Sequence, residues 1–470
     1  MSDSLEFAKE LQLHETNSPG LVWLDLPVHG DSRGWFKENW QQEKMVPLGL
    51  PDFGPRQNNI SFNATRGTTR GIHAEPWDKY VSVATGKIYG AWTDLREGDT
   101  FGQTFELEID PSKAIFVPRG VGNAFQALED GTASSYLVND HWVAGGENYA
   151  FLNLGDKTAN IQWPIPLEEA ELSEKDRAHP SLNEIQPMKP RKTLILGADG
   201  QLGMALRKEF PDAEFTDRST FDITNPSSWS DRNWRQYQTI INAAGYTNVD
   251  LAETEGRADA WKLNATAVGD LAKLAIENRL TLVHVSSDYV FDGTQVVHTE
   301  DELFAPLSVY GQSKAAGDIA AATVPNHYII RTSWVIGEGN NFVNIMKSLA
   351  ERGIDPSVVN DQVGRLTFTP DLAKAIRHLI ETKAPAGTYN VSGDGESVSW
   401  ADIAQQVFEL SGHDKARVKG VTTEAYYQGK VGIAPRPLQS TLNLAKIQGT
   451  GFAPRRWDTA LREYLEQQNS

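Results

Sequence analysis

The sequence predicts two domains of different fold class, an all-β domain followed by an α/β domain built on a parallel sheet. The chain has 470 residues, more than one hydrophobic core usually spans. From about residue 20 to 165, short alternating segments with frequent glycine and proline indicate many short strands. After residue 190, short apolar runs alternate with helical segments, a rhythm typical of a parallel sheet with helices on both faces.

The strand pattern of the front half predicts a β-sandwich or barrel. Between Thr104 and Asp110, apolar Phe105, Leu107 and Ile109 alternate with polar neighbours. A hairpin-like pattern runs through Gly86. Many short strands without long helical periods are typical of these two architectures.

The back half begins after a proline-bearing segment. Its apolar runs, with helical segments between them, lie at 192–197, 239–242, 280–285 and 328–331. Residues 183–191 carry two prolines and little apolar content, which predicts a linker. We therefore expect domains at 1–182 and 192–470.

Composition excludes several classes of function. The net charge of −18 argues against nucleic acid, whose phosphates need patches of lysine and arginine, but allows an anionic small molecule in a local basic pocket. The chain has no cysteine, which excludes disulfides and thiolate metal sites and favours a cytoplasmic setting. No apolar run approaches the ~18 residues of a membrane helix, and we expect neither a signal peptide nor a membrane partner.

A glycine-rich turn follows the first strand of the back half. In Gly197-Ala-Asp-Gly200-Gln-Leu-Gly203 the glycines let the backbone approach a pyrophosphate at a helix N-terminus. Asp222-Ile223 lies where an adenosine contact is expected. Arg218 favours the 2′-phosphate of NADPH and Asp217 opposes it, so NADH and NADPH both stay open. The predicted cofactor-binding residues are Gly197, Gly200, Gln201, Leu202, Asp222, Ile223, Ala243, Ala244, Gly245, Tyr310 and Lys314.

Tyr310 and Lys314 form the sharpest catalytic pattern. Their i, i+4 spacing puts both side chains on one helix face, where the ammonium is expected to lower the pKa of the phenol. The phenol can donate a proton to a carbonyl as hydride arrives. Ser287 ends a predicted strand at the edge where open α/β sheets bind ligands, and it completes the catalytic set.

These motifs, with Ser286–Gly293 and Arg331-Thr-Ser-Trp334, resemble those of the extended short-chain dehydrogenase/reductase family, and within it the dTDP-4-dehydrorhamnose reductases. The resemblance spans 191–468. It implies a doubly wound Rossmann domain with a small C-terminal substrate subdomain, and reduction by NADPH or NADH. It also implies substrate contacts at Asp288 and Trp334, and allows Mg²⁺ in this half. Tyr289 stands where related dehydratases carry glutamate, which favours reduction over water elimination.

Polar side chains are dense in three strand-like segments of the front half, Asp31–Glu38, Gln57–Ser61 and Arg70–His73. Arg33, Arg70 and Lys79 supply the positive charge that an anionic ligand needs. These segments resemble dTDP-4-dehydrorhamnose 3,5-epimerase, a cupin-type jelly-roll barrel that uses no metal. The resemblance implies a dTDP-sugar as the ligand and a homodimer as the assembly.

The epimerase resemblance also implies the catalytic roles. His73 removes the proton beside a C4 ketone, and Asp156 orients and supports His73. Lys79 stabilises the enolate oxygen, and Tyr136 returns a proton on the opposite face. The implied substrate-binding residues are Arg33, Glu38, Gln57, Asn59, Arg70, Asn123 and Glu147. Asn123 replaces the usual histidine of the family, so the front half is a divergent member.

The two resemblances together imply epimerisation of dTDP-4-dehydro-6-deoxy-D-glucose at C3 and C5, then reduction of its C4 ketone to dTDP-L-rhamnose. One alternative is the same chemistry on another nucleotide-deoxysugar. Another is a reductase with a non-catalytic front domain. A binding protein without activity is a third, and the intact Ser287, Tyr310 and Lys314 count against it.

Overall fold

The computed structural model of the chain describes residues 5–141 and 149–468. Packing separates two units, Met1–Pro190 and Arg191–Ser470, which are described in turn. In the described residues, no helix is long and apolar enough to cross a membrane.

Antiparallel strands make up most of the regular secondary structure described in the front unit. They are β1 (Gln12–Glu15), β2 (Val22–Asp25), β3 (Val28–Asp31), β4 (Gly34–Lys37), β5 (Gln57–Asn63), β6 (Thr69–Ala74), β7 (Lys79–Thr85), β8 (Ile88–Asp94), β9 (Thr104–Ile109), β10 (Lys113–Val117), β11 (Val121–Ala127), β12 (Thr132–Val138) and β13 (Ala150–Phe151). The short helices are α1 (Gln42–Met45) and α2 (Glu174–Arg177). One sheet has the order β1-β2-β10-β7-β12-β5, a second has β13-β6-β11-β8-β9, and β3 pairs with β4.

Alternating apolar side chains form the core between these two sheets. Val81 and Val83 of β7 pack in one cluster with Trp92 of β8 and Phe125 of β11. Burial of one such side chain contributes about 1.5–3 kcal/mol. The predicted all-β class of the front half is confirmed, with antiparallel pairing in both sheets.

Most of the segment predicted as a linker is attached to the front unit. Leu182–Glu184 form a 3₁₀ turn whose capping box joins Ser181 to Glu184. The amide of Met188 donates to the Leu95 carbonyl at 2.8 Å, and the Glu97 amide donates to the Met188 carbonyl at 3.0 Å. The Met188 side chain is buried. The division between the units therefore falls after Pro190.

A parallel sheet with the order β15-β14-β16-β17-β18-β23 organises the back unit. The strands of this unit are β14 (Lys192–Leu196), β15 (Glu214–Thr216), β16 (Tyr237–Asn242), β17 (Thr281–Ser287), β18 (His327–Thr332), β19 (Val335–Ile336), β20 (Ser357–Val359), β21 (Val363–Gly364), β22 (Thr367–Phe368), β23 (Gly387–Asn390), β24 (Val398–Ser399) and β25 (Lys419–Val421). The helices are α3 (Gln201–Glu209), α4 (Arg257–Trp261), α5 (Ala267–Asn278), α6 (Val309–Ala321), α7 (Phe342–Glu351), α8 (Thr369–Glu381), α9 (Trp400–Leu410), α10 (Thr423–Tyr427), α11 (Ala445–Gln448) and α12 (Trp457–Gln467).

Apolar clusters cover both faces of this parallel sheet. Leu194 and Leu196 of β14 pack in one cluster with Leu271 of α5. Ile195, which lies between them, packs with Leu206 of α3 and Leu372 of α8. Successive side chains of a strand point to opposite faces, which explains why the strand reads as a continuous apolar run. The predicted parallel sheet is confirmed, and a further cluster joins α7, α9 and α12.

Candidate active sites

The front unit contains a cavity of about 510 Å³, within the size range of ligand pockets. Side chains of β6, β7, β11 and β12 and of the segment around α2 form its wall. Five residues singled out from the sequence line it, namely Arg70, His73, Lys79, Asn123 and Tyr136. The fold thus brings together the predicted base, the predicted enolate stabiliser and the predicted proton donor.

His73 pairs with Asp176 on this wall. The Nε2 atom of His73 lies 2.9 Å from Oδ1 of Asp176, which belongs to α2. Burial alone would raise the pKa of Asp176, but the hydrogen bond and charge of His73 outweigh it and hold that pKa below its ordinary value. Asp176 is therefore ionised near neutral pH. An ionised acceptor favours the tautomer that carries its proton on Nε2, which leaves a lone pair on Nδ1.

The predicted pairing of His73 with Asp156 is wrong. The carboxylate of Asp156 accepts backbone hydrogen bonds at 2.8 Å from Thr158, 2.9 Å from Ala159 and 2.8 Å from Leu182. These bonds close the loop that carries Asp156, so its oxygens are directed at backbone amides. Asp176, twenty residues further on, holds the position that the sequence analysis gave to Asp156.

Lys79 and Tyr136 face each other in the cavity. The Lys79 ammonium lies 5.6 Å from the centre of the Tyr136 ring and pairs with Glu75. Burial raises the pKa of Tyr136, Glu75 raises it further, and Arg70 opposes them. The phenol is therefore protonated at neutral pH, which is the state that can donate a proton.

Arg70 and Asn123 are fixed by neighbouring side chains. Nε of Arg70 donates to Oδ1 of Asn63 at 3.0 Å. Nε1 of Trp92 donates to Oδ1 of Asn123 at 2.8 Å. Since the amide oxygen of Asn123 accepts from the indole, its amino group is the part that can contact a ligand.

Among the described residues, the other predicted substrate residues of the front half are not part of the cavity wall. Arg33 is highly exposed in the β3–β4 hairpin and pairs with Asp31, while Glu38 pairs with Lys44. Gln57 and Asn59 occupy alternate positions of β5 with Ser61, which lines the cavity, so the three share one face of the strand. Glu147 lies outside the described residues.

In the back unit, the glycine-rich turn lies at the carboxyl end of β14. Gly197 has a φ of +79°, and a Cβ there would come within 2.7 Å of the Ala244 backbone nitrogen. A Cβ on Gly203 would lie 2.3 Å from the Gly197 carbonyl oxygen. Gly200 is the N-cap of α3. The turn is therefore closed to larger residues and leaves backbone amides at the helix N-terminus, which fits a pyrophosphate.

The other predicted cofactor residues divide between the sheet edge and the core. Ala243, Ala244 and Gly245 directly follow β16, beside the glycine turn. Gln201 opens α3, and its amide donates to the Asn340 carbonyl at 3.1 Å. Leu202 and Ile223 are buried in the apolar clusters, and Asp222 accepts hydrogen bonds within its own turn from Thr224.

Ser287, Tyr310 and Lys314 meet where β17 ends against α6. The Ser287 hydroxyl is close enough to Tyr310 to influence the pKa of its phenol, and Nζ of Lys314 donates to the Val285 carbonyl at 2.6 Å. Burial raises the pKa of Tyr310 to about 12, even though the neighbouring Ser287 hydroxyl lowers it. Burial lowers the pKa of Lys314 to about 8.

The predicted lowering of the Tyr310 pKa is therefore wrong. The cost of charging a buried phenol exceeds the effects that favour the phenolate. At neutral pH the phenol keeps its proton, and this is the form required to protonate a carbonyl.

The two predicted substrate residues of the back half differ in their surroundings. Asp288 is buried beside Ser287, whose hydroxyl donates to it at 3.0 Å, and burial raises its pKa to about 6. Trp334 stacks on Trp400 with ring centres 3.8 Å apart and has a φ of +48°. The Trp334 ring packs closely on Gly364, where a side chain would collide with it.

The sequence analysis missed Asp176, Glu75 and Glu171 of the front cavity. One signal for Asp176 is present in the sequence, because Ser173 and Asp176 have the spacing of a helix N-cap, and Ser173 accepts from the Asp176 amide at 3.0 Å. That signal locates a helix start. It does not show that the same carboxylate reaches His73 on β6.

Comparisons with known proteins match each half of the chain to a different family. Residues 191–470 match the family described as RmlD substrate binding domain, and residues 15–184 match dTDP-4-dehydrorhamnose 3,5-epimerase. The front half is 51% identical to the "Protein RmlC homolog" of Streptococcus pyogenes serotype M6 over 192 residues, which are 39% of this chain and 96% of that protein.

Solved structures of reductases are similar to the back half. A dTDP-4-dehydrorhamnose reductase from Clostridium acetobutylicum is 35% identical with a TM-score of 0.55, and the match covers 59% of this chain and 100% of that one. A dTDP-4-dehydrorhamnose reductase from Bacillus anthracis, solved in complex with NADP, is 32% identical with a TM-score of 0.54, covering 59% and 99%. The chain thus belongs to the RmlD family through its back unit and to the dTDP-4-dehydrorhamnose 3,5-epimerase family through its front unit.

Proposed function

We propose that the chain is a bifunctional enzyme of dTDP-L-rhamnose biosynthesis. Its front unit epimerises dTDP-4-dehydro-6-deoxy-D-glucose at C3 and C5, and its back unit reduces the C4 ketone. One observation carries the proposal. The same chain contains a hydrogen-bonded His73–Asp176 pair suited to proton abstraction and a second group, Ser287, Tyr310 and Lys314, suited to carbonyl reduction.

The front cavity catalyses proton transfer at the carbons beside the ketone. The Nδ1 lone pair of His73 takes the proton, and ionised Asp176 stabilises the imidazolium that forms. Lys79 stabilises the enolate oxygen, because a proton alpha to a ketone is too weakly acidic for imidazole otherwise. Tyr136, protonated through its raised pKa, supplies a proton to the opposite face.

Reduction in the back unit needs NADPH or NADH, which supplies hydride when bound. The glycine turn at Gly197–Gly203 fits the pyrophosphate, because it places backbone amides at the N-terminus of α3. A side chain at Gly197 or Gly203 would collide with the neighbouring backbone and disrupt this turn. Tyr310 gives its proton to the C4 oxygen, and Ser287 holds that oxygen by a hydrogen bond. The ammonium of Lys314 favours the phenolate that remains. The NADP bound to the Bacillus anthracis relative supports this cofactor class.

The fold details belong to the same proposal. We assign the front unit to the cupin-type jelly rolls, supported by its two facing antiparallel sheets. The back unit is a doubly wound Rossmann domain, supported by apolar clusters on both faces of its parallel sheet. The steps proposed here involve no Mg²⁺. Among the described residues, three metal-type donors lie together at His73, Asp176 and His179 of the front unit.

We also propose that the chain forms a homodimer through its front unit. Strand β5 is a sheet edge, and its outward residues Ile60 and Phe62 are 71% and 63% exposed. Exposed apolar edges are normally covered, and a second copy offers the same edge to a two-fold contact. The test is the molar mass in solution, measured by light scattering. We expect twice the monomer mass for the parent and the monomer mass for Phe62→Asp. A monomeric parent contradicts this.

Product analysis tests the proposed function. The protein is incubated with dTDP-4-dehydro-6-deoxy-D-glucose and either NADPH or NADH, and the product is identified by NMR. dTDP-L-rhamnose is the expected product. A different deoxysugar would favour the same chemistry on another substrate, and reduction without epimerisation would favour a non-catalytic front unit.

A further inference from the structure

Two buried charged residues of the back unit have no role in the mechanism above. Asp318 lies one turn after Lys314 on α6, and Arg331 lies on the adjacent strand β18. Lys314, Asp318 and Arg331 are 4%, 1% and 3% exposed. Charges buried to this extent are costly unless each has a partner. Because they lie next to a proposed catalytic lysine, we examine whether their charges act on it.

Asp318 and Arg331 form an ion pair inside the protein. Nε of Arg331 donates to Oδ2 of Asp318 at 3.0 Å, and NH1 of Arg331 donates to the Glu300 carbonyl at 3.0 Å. Burial raises the pKa of Asp318 above its ordinary value, and the Arg331 guanidinium opposes that shift, because an opposite charge in contact favours the ionised form. A buried carboxylate is thereby fixed one helical turn from Lys314.

The remaining titratable groups near Lys314 supply no comparable negative charge. His284 of β17 has Nε2 3.9 Å from Oδ1 of Asp318, and burial keeps its pKa well below the ordinary value, so it is neutral. Tyr310 is protonated at neutral pH. The carboxyl of Asp288 acts on Tyr310, whereas the charge that acts on Lys314 comes from Asp318.

We propose that Asp318, held ionised by Arg331, is a positioning residue of the reductase site that keeps the Lys314 ammonium charged. This inference rests on the proposed roles of Tyr310 and Lys314. The burial of Lys314 favours loss of its proton, and the Asp318 charge opposes that loss. Without Asp318, the amine would lose its proton at lower pH, and the phenolate left by proton transfer would lose its stabilising charge over more of the working pH range.

The same carboxylate also raises the pKa of Tyr310. That effect does not alter the protonation of the phenol in the working range, because the Tyr310 pKa of about 12 lies far above it. A change at Asp318 should therefore be visible through the titration of Lys314. Its signature is the alkaline limb of the pH profile.

The test is the pH profile of reduction by the full chain. Asp318→Asn keeps an oxygen that can accept from Arg331 and removes the charge. We expect its alkaline limb to move about one pH unit lower, with ~5-fold lower kcat at pH 8, close to the parent pKa of Lys314, and a smaller loss at pH 6.5. Asp318→Glu should restore the parent profile. Asp270→Asn, on the surface of α5 beside Lys273, is the matched control and should change nothing.

The double variant Asp318→Asn/Arg331→Met covers the case in which the single variant unfolds. It removes both buried charges together and is expected to shift the limb in the same direction. A profile that superimposes on the parent, with only a lower Tm, would overturn the inference and leave the pair a purely structural one. If Tyr310→Phe retained full activity, the proposed function itself would fail, so the two failures are distinguishable.

Discussion

Replacing Asp176 by Asn separates the two candidate partners of His73. The structure joins Nε2 of His73 to Oδ1 of Asp176 at 2.9 Å, while Asp156 binds backbone amides. Asparagine keeps the volume of Asp176 and can still accept a hydrogen bond, but it carries no charge. The imidazolium formed by proton abstraction then loses its counter-charge.

The size of the effect follows from the geometry of the pair. A hydrogen bond to a charged group contributes about 1.5–3 kcal/mol, equivalent to about 10- to 150-fold in rate. The His73 side chain is 33% exposed, so water screens part of the interaction. We therefore expect the lower part of the range, ~10- to 30-fold slower proton exchange.

The assay needs no cofactor. Exchange of the substrate protons beside the ketone is followed by NMR in D₂O for the parent, Asp176→Asn and Asp156→Asn. Asp156→Asn is the matched control, expected to keep the exchange rate and lose about 1–2 kcal/mol of stability through weakened loop hydrogen bonds. Slow exchange in Asp156→Asn together with parental exchange in Asp176→Asn would refute the reasoning.

Three other predictions concern the back unit and the boundary. Tyr310→Phe should bind NADPH as the parent does and reduce ~10²-fold more slowly, the scale of a positioned proton donor; near-parental turnover speaks against the role. Reduction should decline as pH rises through about 8, where Lys314 loses its ammonium, and a profile flat to pH 9 contradicts this. Fragment 1–190 should fold alone. Fragment 1–187 lacks buried Met188 and should have a free energy of unfolding lower by about 1.5–3 kcal/mol. Equal urea midpoints for the two fragments would show that Met188 makes no such contribution.

The positions of the back-unit motifs could be predicted because topology constrains them. In a parallel sheet the carboxyl ends of the strands share one edge. The turn at Gly197 and the hydroxyl of Ser287 each follow a strand that the sequence shows as an apolar run, so both were expected at that edge. The i, i+4 spacing of Tyr310 and Lys314 fixed their common helix face in the same way.

Contacts between distant segments could not be predicted in this way. His73 and Asp176 are separated by 103 positions, and spacing does not distinguish Asp176 from Asp156. The pKa of Tyr310 depends on the burial produced by the whole unit, so local spacing gave the wrong direction. Met188 is a single apolar residue between prolines, and only its strand-like pairing beside Leu95 shows that it belongs to the front unit.

Cofactor oxidation by a His73→Asn variant tests the central claim of a coupled epimerase and reductase most directly. The substrate is unepimerised dTDP-4-dehydro-6-deoxy-D-glucose, and the reductase unit is unchanged. We expect NAD(P)H oxidation to stop, because the reductase pocket positions only the epimerised ketone against the hydride, and to resume when fragment 1–190 is added in trans. Steady oxidation by the variant alone would contradict the account, since it would show that the reductase takes the D-sugar directly.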